Sequence, residues 1–87
     1  MRVHIQDIIE LLLNRGEFFS ILTNIHNVTF EPTLPEHISK NFKPITLFVV
    51  AEYTFESCSL DENFLYFEAG FGEENIGSLI TIPLGSI

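Results

Sequence analysis

The N-terminal segment of the chain has the residue spacing of an amphipathic helix. Over residues 4–15, large aliphatic side chains recur at intervals of three and four positions, namely Ile5, Ile8, Ile9, Leu12 and Leu13. Gly16 predicts the end of this helix, because a glycine readily takes the left-handed conformation that follows a last helical turn. Leu11 widens the apolar stripe, so both a sheet of the same domain and a second copy of the chain could cover the helix. Since periodicity does not say what covers a helix, a core helix covered entirely by its own domain is the alternative.

The length of the chain favours the second copy. Its 87 residues form one domain, residues 1–87, and a domain of this size buries only about 60–65% of the surface of its unfolded chain. With 46% hydrophobic residues and 9 Phe, the sequence has more apolar material than a small core easily covers. We therefore predict a homodimer whose interface is formed by the helix, through Ile5, Ile8, Leu11 and Leu12.

The middle of the chain gives weaker signals. Residues 17–27 fit either a short helix or a packed loop, and this segment is left open. Residues 28–34 form an extended segment in which Pro32, with Pro35 just beyond it, restricts the chain to a sheet edge. Residues 36–44 hold both lysines and are predicted to be a polar connection.

Three antiparallel strands are predicted after that connection, at residues 46–59, 64–71 and 79–84. Turn residues separate them at 61–63 and at 73–78, so each neighbouring pair forms a hairpin. A helix followed by such a meander is an α+β fold, with a small, strongly bent antiparallel sheet or an open barrel capped by the helix.

Charge and cysteine content exclude several classes of protein. The net charge is −8, with 4 Lys and Arg against 12 Asp and Glu, so a basic patch for nucleic acid or for an anionic membrane is not expected. Asp7 and Glu10 interrupt the apolar run that a signal peptide keeps free of charge. Cys58 is alone and cannot form an intrachain disulfide, which favours a half-buried, unreactive thiol in a reducing, cytoplasmic compartment.

No set of residues predicts catalysis, a metal or a cofactor. The three histidines share no metal-ligand spacing with one another or with Cys58; they are His4, His26 and His37. The adjacent acids at 61–62 and 73–74 fall in predicted turns, where solvated carboxylates are the ordinary finding. Because no nucleophile, base and orienting group occur together, we expect a protein that is not an enzyme.

The glycines near the end of the predicted strand at 64–71 point to a binding surface. Phe67, Ala69 and Phe71 fall on one face of this strand, whereas Gly70 and Gly72 leave the other face nearly bare beyond Glu68. A glycine inside a strand marks a close approach by another backbone, which predicts that an extended peptide lies there. A bend that needs glycine only for curvature is the alternative.

Several segments of the sequence resemble the SspB family, also called stringent starvation protein B. The resembling segments are VTF at 28–30, LPEHI at 34–38, VVAEYTF at 49–55, LDENFLYFEAGFG at 60–72 and IPLGSI at 82–87. The order of elements agrees too, since this family has an N-terminal helix followed by a small Sm-like β-structure. Members of the family are adaptors that deliver ssrA-tagged polypeptides to the ClpXP protease.

The resemblance implies a site and partners. It places the tag peptide in a groove lined by Ala51, Ala69, Gly70, Phe71 and Gly72, and it places the homodimer interface on the first helix. The second partner is ClpX, which family members reach through a motif at the end of a flexible tail, and this motif is not found up to Ile87. The expected function is therefore a peptide-binding adaptor. The alternatives are a small acidic dimeric secretion chaperone that binds extended segments of its substrate, and a minor hydrolase that uses the acidic turns.

Overall fold

The computed structural model describes the backbone of residues 2–87 and the side chains of residues 5–87. Its first element is a helix. Helix α1 spans Arg2–Arg15, so the predicted helix is confirmed and begins two residues earlier. Ile9 turns into the core, whereas the side chain of His4 lies outside the described residues. Gly16 has φ +69° and donates its N–H to the carbonyl of Leu13 at 3.2 Å, which is the predicted glycine stop.

Two strands form a separate antiparallel ribbon. Strand β1 spans Phe19–Asn24 and pairs with β3, Ile45–Val50, so that Phe19 lies opposite Val50 and Asn24 opposite Ile45. The segment left open at 17–27 is therefore a strand that is followed by a short 3-10 helix, Ile25–Asn27. Its alternate residues Ile21 and Thr23 are buried, as expected for a strand that packs on a core with one face.

The other four strands form a second antiparallel sheet. Their order is β2 (Thr29–Glu31), β6 (Ile76–Pro83), β5 (Phe64–Phe71) and β4 (Ser59–Leu60). The predicted hairpin turn at 61–63 is confirmed, because Asp61 Oδ1 accepts the N–H groups of Asn63 and Phe64, each at 2.8 Å. The next turn covers residues 72–75, so β6 starts earlier than the predicted strand at 79–84.

The predicted strand at 46–59 is wrong in its second half. The chain leaves β3 after Val50, Glu52 takes φ +53°, and a short helix α3 follows at Glu52–Glu56. This helix forms because Phe55 packs against the rings of Phe18 and Phe19, at centroid distances of 5.2 and 6.3 Å. Another short helix, α2 at Glu36–Ser39, lies within the predicted polar connection.

The hydrophobic core lies between the ribbon and the four-stranded sheet. Its buried side chains are Ile9, Ile21, Phe48, Val50, Leu65, Phe67, Ile80, Ile82 and Leu84. Phe48 and Phe67 join the two sheets through rings 5.9 Å apart. The predicted α+β class is confirmed, and the antiparallel sheets do not close into a barrel. Over the described part of the chain, no helix combines the length and the apolar character needed to cross a membrane.

Candidate peptide-binding edge

Strand β5 is paired along only part of one of its edges. β6 pairs with its whole length, from Phe64 to Phe71. On the other edge, β4 contributes two residues, Ser59 opposite Tyr66 and Leu60 opposite Leu65. Within residues 2–87, no strand continues along this edge beyond Tyr66. The second half of β5 therefore presents an edge to solvent and to the segment around α3; we call residues 67–71 along this edge the open edge.

Ser57 satisfies the first backbone group of the open edge. Its Oγ accepts the N–H of Glu68 at 2.9 Å and donates to the carbonyl of Thr54 at 2.8 Å. The carbonyl of Glu68 lies 3.5 Å from the same oxygen. A side chain thus takes the place of a neighbouring strand at Glu68, and it holds the end of α3 against β5.

The backbone of Gly70 points toward the open edge. Residues of an antiparallel strand direct their N–H and C=O groups to alternate edges, so residues two apart share an edge. Because Glu68 faces Ser57, Gly70 faces the same side and does not bond to Gly77, which lies opposite it in β6. Gly70 is exposed, and no described strand lies beside it there. Its N–H and C=O can therefore pair with an extended chain.

The outer face above Gly70 is less bare than the sequence suggested. A Cβ atom added to Gly70 would overlap Oδ1 of Asn75, whose side chain folds back from the hairpin turn over this position. A Cβ at Gly77 would meet no atom within 4 Å. The space that Gly70 leaves is thus filled by an amide side chain, which supplies polar groups next to the open edge.

The backbone conformation at residue 72 explains why this residue is a glycine. Its φ is +73°, and its carbonyl accepts the N–H of Asn75 at 3.1 Å to close the hairpin turn. Glycine takes this conformation without the strain that a Cβ atom imposes on most other residues. The turn therefore explains why this predicted site residue is a glycine, whether or not a peptide lies beside it.

The other predicted site residues are all half-buried. Ala51 lies between β3 and α3 and is half-buried. Ala69 and Phe71 are half-buried and pack against the core, and the Phe71 ring meets the rings of Phe30 and Phe42 at 5.8 and 5.9 Å. The side chains of Ala69 and Phe71 thus anchor β5 to the core, while Gly70 presents its backbone at the edge.

The surroundings of the open edge are acidic. The Tyr53 hydroxyl donates to Oε1 of Glu68 at 2.8 Å, and this hydrogen bond together with the carboxylate charge raises the pKa of Tyr53. On the outer face, Glu31 and Glu68 line a shallow depression of about 260 Å³ with Gly77 and Leu79. Such a field disfavours acidic ligands at low ionic strength.

Two of the acidic residues that were predicted to lie in turns, Asp61 and Glu74, contact other side chains. The hydroxyl of Tyr66 donates to Oδ2 of Asp61 at 2.7 Å, and this bond, with those from the two turn N–H groups, lowers the pKa of Asp61. Glu74 lies 3.4 Å from Nε2 of His37 on α2. Among the side chains that the structure describes, no three His, Cys, Asp or Glu residues come together as a metal site would require.

The environment of Cys58 matches the prediction of a half-buried, unreactive thiol. Its side chain packs against the core, and burial raises its pKa to about 11. Because the thiolate is the reactive form, this thiol is a poor nucleophile near neutral pH.

The four residues predicted for the dimer interface differ in their exposure. Ile8 and Leu11 are 53% and 49% exposed, whereas Ile5 and Leu12 are half-buried. Between α1 and the ribbon runs an apolar groove of about 420 Å³, lined by Ile5, Ile8, Ile9, Leu12, Phe19, Ser20, Ile21, Leu22, Leu47 and Ile87. The helix thus contributes to a larger apolar surface that continues onto β1 and β3.

Three residues of the site were not predicted from the sequence: Tyr53, Ser57 and Asn75. Tyr53 and Ser57 fell inside the strand that was predicted too long, since apolar residues at 53 and 55 alternate as in a strand. Asn75 was recognised as a turn residue, and its tolerance of a positive φ was the available signal.

Comparison of the chain with protein-family models, with curated proteins and with solved structures found no match in any of the three. The resemblance to the SspB family therefore rests on the sequence segments given above. The fold and the open edge rest on the structure.

Proposed function

We propose that this protein is a non-enzymatic adaptor that binds an extended peptide along the open edge of β5. The observation that carries the proposal is the orientation of Gly70, whose N–H and C=O face an edge that no described strand covers. Adding a strand to such an edge is a general way of recognising peptides, in which backbone hydrogen bonds provide affinity and neighbouring side chains provide specificity.

The short length of the open edge limits the strength of binding. β4 pairs with the start of β5, and the hairpin turn begins at Gly72. Between them, the Ser57 hydroxyl already accepts the backbone N–H of Glu68. An extended peptide pairs chiefly with Gly70, and a neutral hydrogen bond contributes about 1 kcal/mol. Contacts from neighbouring side chains such as Tyr53 to peptide side chains supply the rest, so moderate and selective affinity is expected.

The resemblance to the SspB family supplies the ligand to test. On that basis, the peptide is an ssrA-type degradation tag, the cargo is a tagged polypeptide, and the recipient is the ClpX component of ClpXP. The lone, half-buried Cys58 agrees with a reducing compartment, and we place this activity in the cytoplasm. Because Glu68 lies on the edge strand and Glu31 shares its outer face two strands away, affinity for an acidic tag should rise as salt screens their charge.

Two substitutions at Gly70 distinguish backbone pairing with the peptide from a steric effect of the added side-chain atoms. Gly70→Ala moves the Asn75 side chain but keeps the backbone N–H, whereas Gly70→Pro moves the same side chain and also removes the N–H. Neither breaks a β5–β6 bond, because Gly70 faces away from β6. Calorimetric titration with an ssrA-type peptide should show affinity within about threefold of wild type for Gly70→Ala. For Gly70→Pro the loss should be about fivefold or more, from one hydrogen bond.

A second titration tests the same mechanism from the side of the peptide. Methylation of single backbone nitrogens along the peptide should weaken binding most at the one position whose N–H pairs with the Gly70 carbonyl and little at the positions next to it, since only alternate N–H groups of a strand face its neighbour. Equal affinity of Gly70→Ala and Gly70→Pro, together with equal effects of methylation at every position, would refute strand addition. Absence of binding to any extended peptide would refute the adaptor function itself.

A further inference from the structure

One face of the ribbon lies on the core, and the other is uncovered. The outward side chains are 57% to 61% exposed and form what we call the ribbon face: Leu22, Ile45, Leu47 and Val49. A sheet with one solvated face normally alternates apolar and polar residues. β3 instead reads Ile-Thr-Leu-Phe-Val-Val, with apolar residues on both faces, as in a strand that is covered on both sides. The ribbon therefore lacks a covering layer.

The total surface of the chain agrees with a missing layer. The accessible area is 5650 Å², whereas a monomeric protein of 9.9 kDa is expected to expose about 5,200 Å². The molecule is also flat, with principal extents of 35, 24 and 17 Å. Covering the ribbon face would bring this total area down without any change in the fold.

The ribbon face carries no charge, although the chain has a net charge of −8. Its remaining outward positions are Ser20 and Asn24, one neutral hydroxyl and one neutral amide. Two such faces can therefore approach each other without bringing carboxylates together, which is a requirement for any contact between copies of an acidic protein.

Charges of opposite sign lie at the two ends of the ribbon. Lys43 precedes β3 and lines a depression beside the ribbon face with Leu22 and Leu47. At the other end, Glu17 and Glu52 flank the first residue pair of the β1–β3 ladder. Arg15 precedes Glu17 and offsets part of this charge, so that end remains acidic overall.

We infer that the ribbon face binds the ribbon face of a second copy about a two-fold axis, with the two ribbons antiparallel. A two-fold interface uses the same patch twice, so Lys43 of each copy meets Glu17 and Glu52 of the other. Ile8 extends the apolar surface across the groove beside α1. These five exposed side chains offer roughly 500 Å² in each copy, so covering them fully would bury about 1,000 Å² in the pair, which is the lower threshold for a biological interface.

The inferred interface differs from one centred on the outer side of α1, where Leu11 lies. A matched pair of substitutions distinguishes these two interfaces. Leu47→Lys and Leu11→Lys make the same change at exposed leucines of similar accessibility. In sedimentation velocity at micromolar concentration, wild type and Leu11→Lys should be dimers. Leu47→Lys should weaken the dimer about 100-fold or more, because each dimer would bury two added charges. A monomeric wild type, or a dimer that Leu11→Lys breaks and Leu47→Lys does not, would overturn the inference.

A mixing experiment tests the antiparallel arrangement. Lys43→Glu alone, and Glu17→Lys with Glu52→Lys, each place like charges at both ends of a homodimer, whereas the mixture places opposite charges at both. Native mass spectrometry of the mixture should show heterodimers well above the statistical half. The control partner is Glu73→Lys with Glu74→Lys, which changes net charge equally but lies in the β5–β6 turn. Equal heterodimer fractions for both partners would exclude the antiparallel pairing.

Discussion

Replacing Phe67 by alanine should destabilise the contact between the two sheets. Phe67 is 1% exposed, and its ring meets that of Phe48 at 5.9 Å and 65°, an edge-to-face geometry. Within the described residues, no ladder of backbone hydrogen bonds joins the ribbon to the four-stranded sheet. Side-chain packing across the core must therefore hold them together.

The size of the effect follows from burial. Truncating a buried phenylalanine to alanine costs about 3–5 kcal/mol, while a domain of this length has a free energy of unfolding of about 4–13 kcal/mol. Phe67→Ala should thus remove about a quarter of the stability or more. A cycle with Phe48→Ala should show a coupling energy of about 0.5–1.5 kcal/mol, the contribution of an aromatic pair beyond its area.

Urea unfolding followed by circular dichroism measures both quantities. With a slope of about 1 kcal/mol/M, the midpoint should fall by about 3 M or more. Two protein concentrations should be compared, since self-association makes the midpoint depend on concentration. Phe64→Ala is the control, because that ring is 37% exposed on the outer face and should cost about 1 kcal/mol. If Phe67→Ala cost no more than Phe64→Ala, the packing argument would be refuted.

Three further predictions concern single positions. Gly72→Ala should lower stability by about 1 kcal/mol or more in urea, because φ is +73° there, whereas Gly77→Ala has open space and should change it little. Cys58, with its pKa raised to about 11, should react with iodoacetamide at pH 8 far more slowly than free cysteine and recover its reactivity on unfolding. Tyr66→Phe should raise the pKa of Asp61 toward its ordinary value in a carboxyl NMR titration. Because the folded-state pKa of Asp61 is lowered, its stabilisation is present above the unfolded pKa and is lost as pH falls through the folded pKa, so the variant should lose less stability on acidification.

Each of these predictions has a result that contradicts it. Equal stability of the two glycine variants would remove the argument from the left-handed turn at Gly72. Rapid alkylation of the folded protein would place the Cys58 thiol in solvent. An unchanged Asp61 titration in Tyr66→Phe would mean that the hydroxyl does not bond to the carboxylate in solution.

The parts of the fold that were predicted correctly have local causes. The spacing of aliphatic residues and Gly16 define α1, and the side chain of Asp61 builds its own turn from groups two and three residues away. The bounds of β5, Phe64–Phe71, were also predicted, because the turn fixes its start and the glycines mark its end. Such signals lie within a few residues of the structure they specify.

The errors lie where distant residues decide the structure. β1 has an apolar pattern that fits helix or strand, and its pairing with β3, more than twenty residues away, makes it a strand. α3 interrupts an apolar run because, in the folded chain, the ring of Phe55 packs against the rings of Phe18 and Phe19. The candidate site shows the same division. Gly70 was found from its type, whereas the open edge depends on where β4 begins, which is set by α3 and Ser57.

The uncovered strand β3 also bears on how the chain behaves before it is folded. Its six residues, Ile45–Val50, have high β-propensity, no charge and no proline, which is the composition of segments that stack into cross-β fibrils. Both outer edges of the ribbon are free of strand partners within the described chain. Free strand edges beside an apolar face are a template for amyloid-like growth. If the inferred dimer forms, the rate of dimerisation therefore competes with the rate of aggregation.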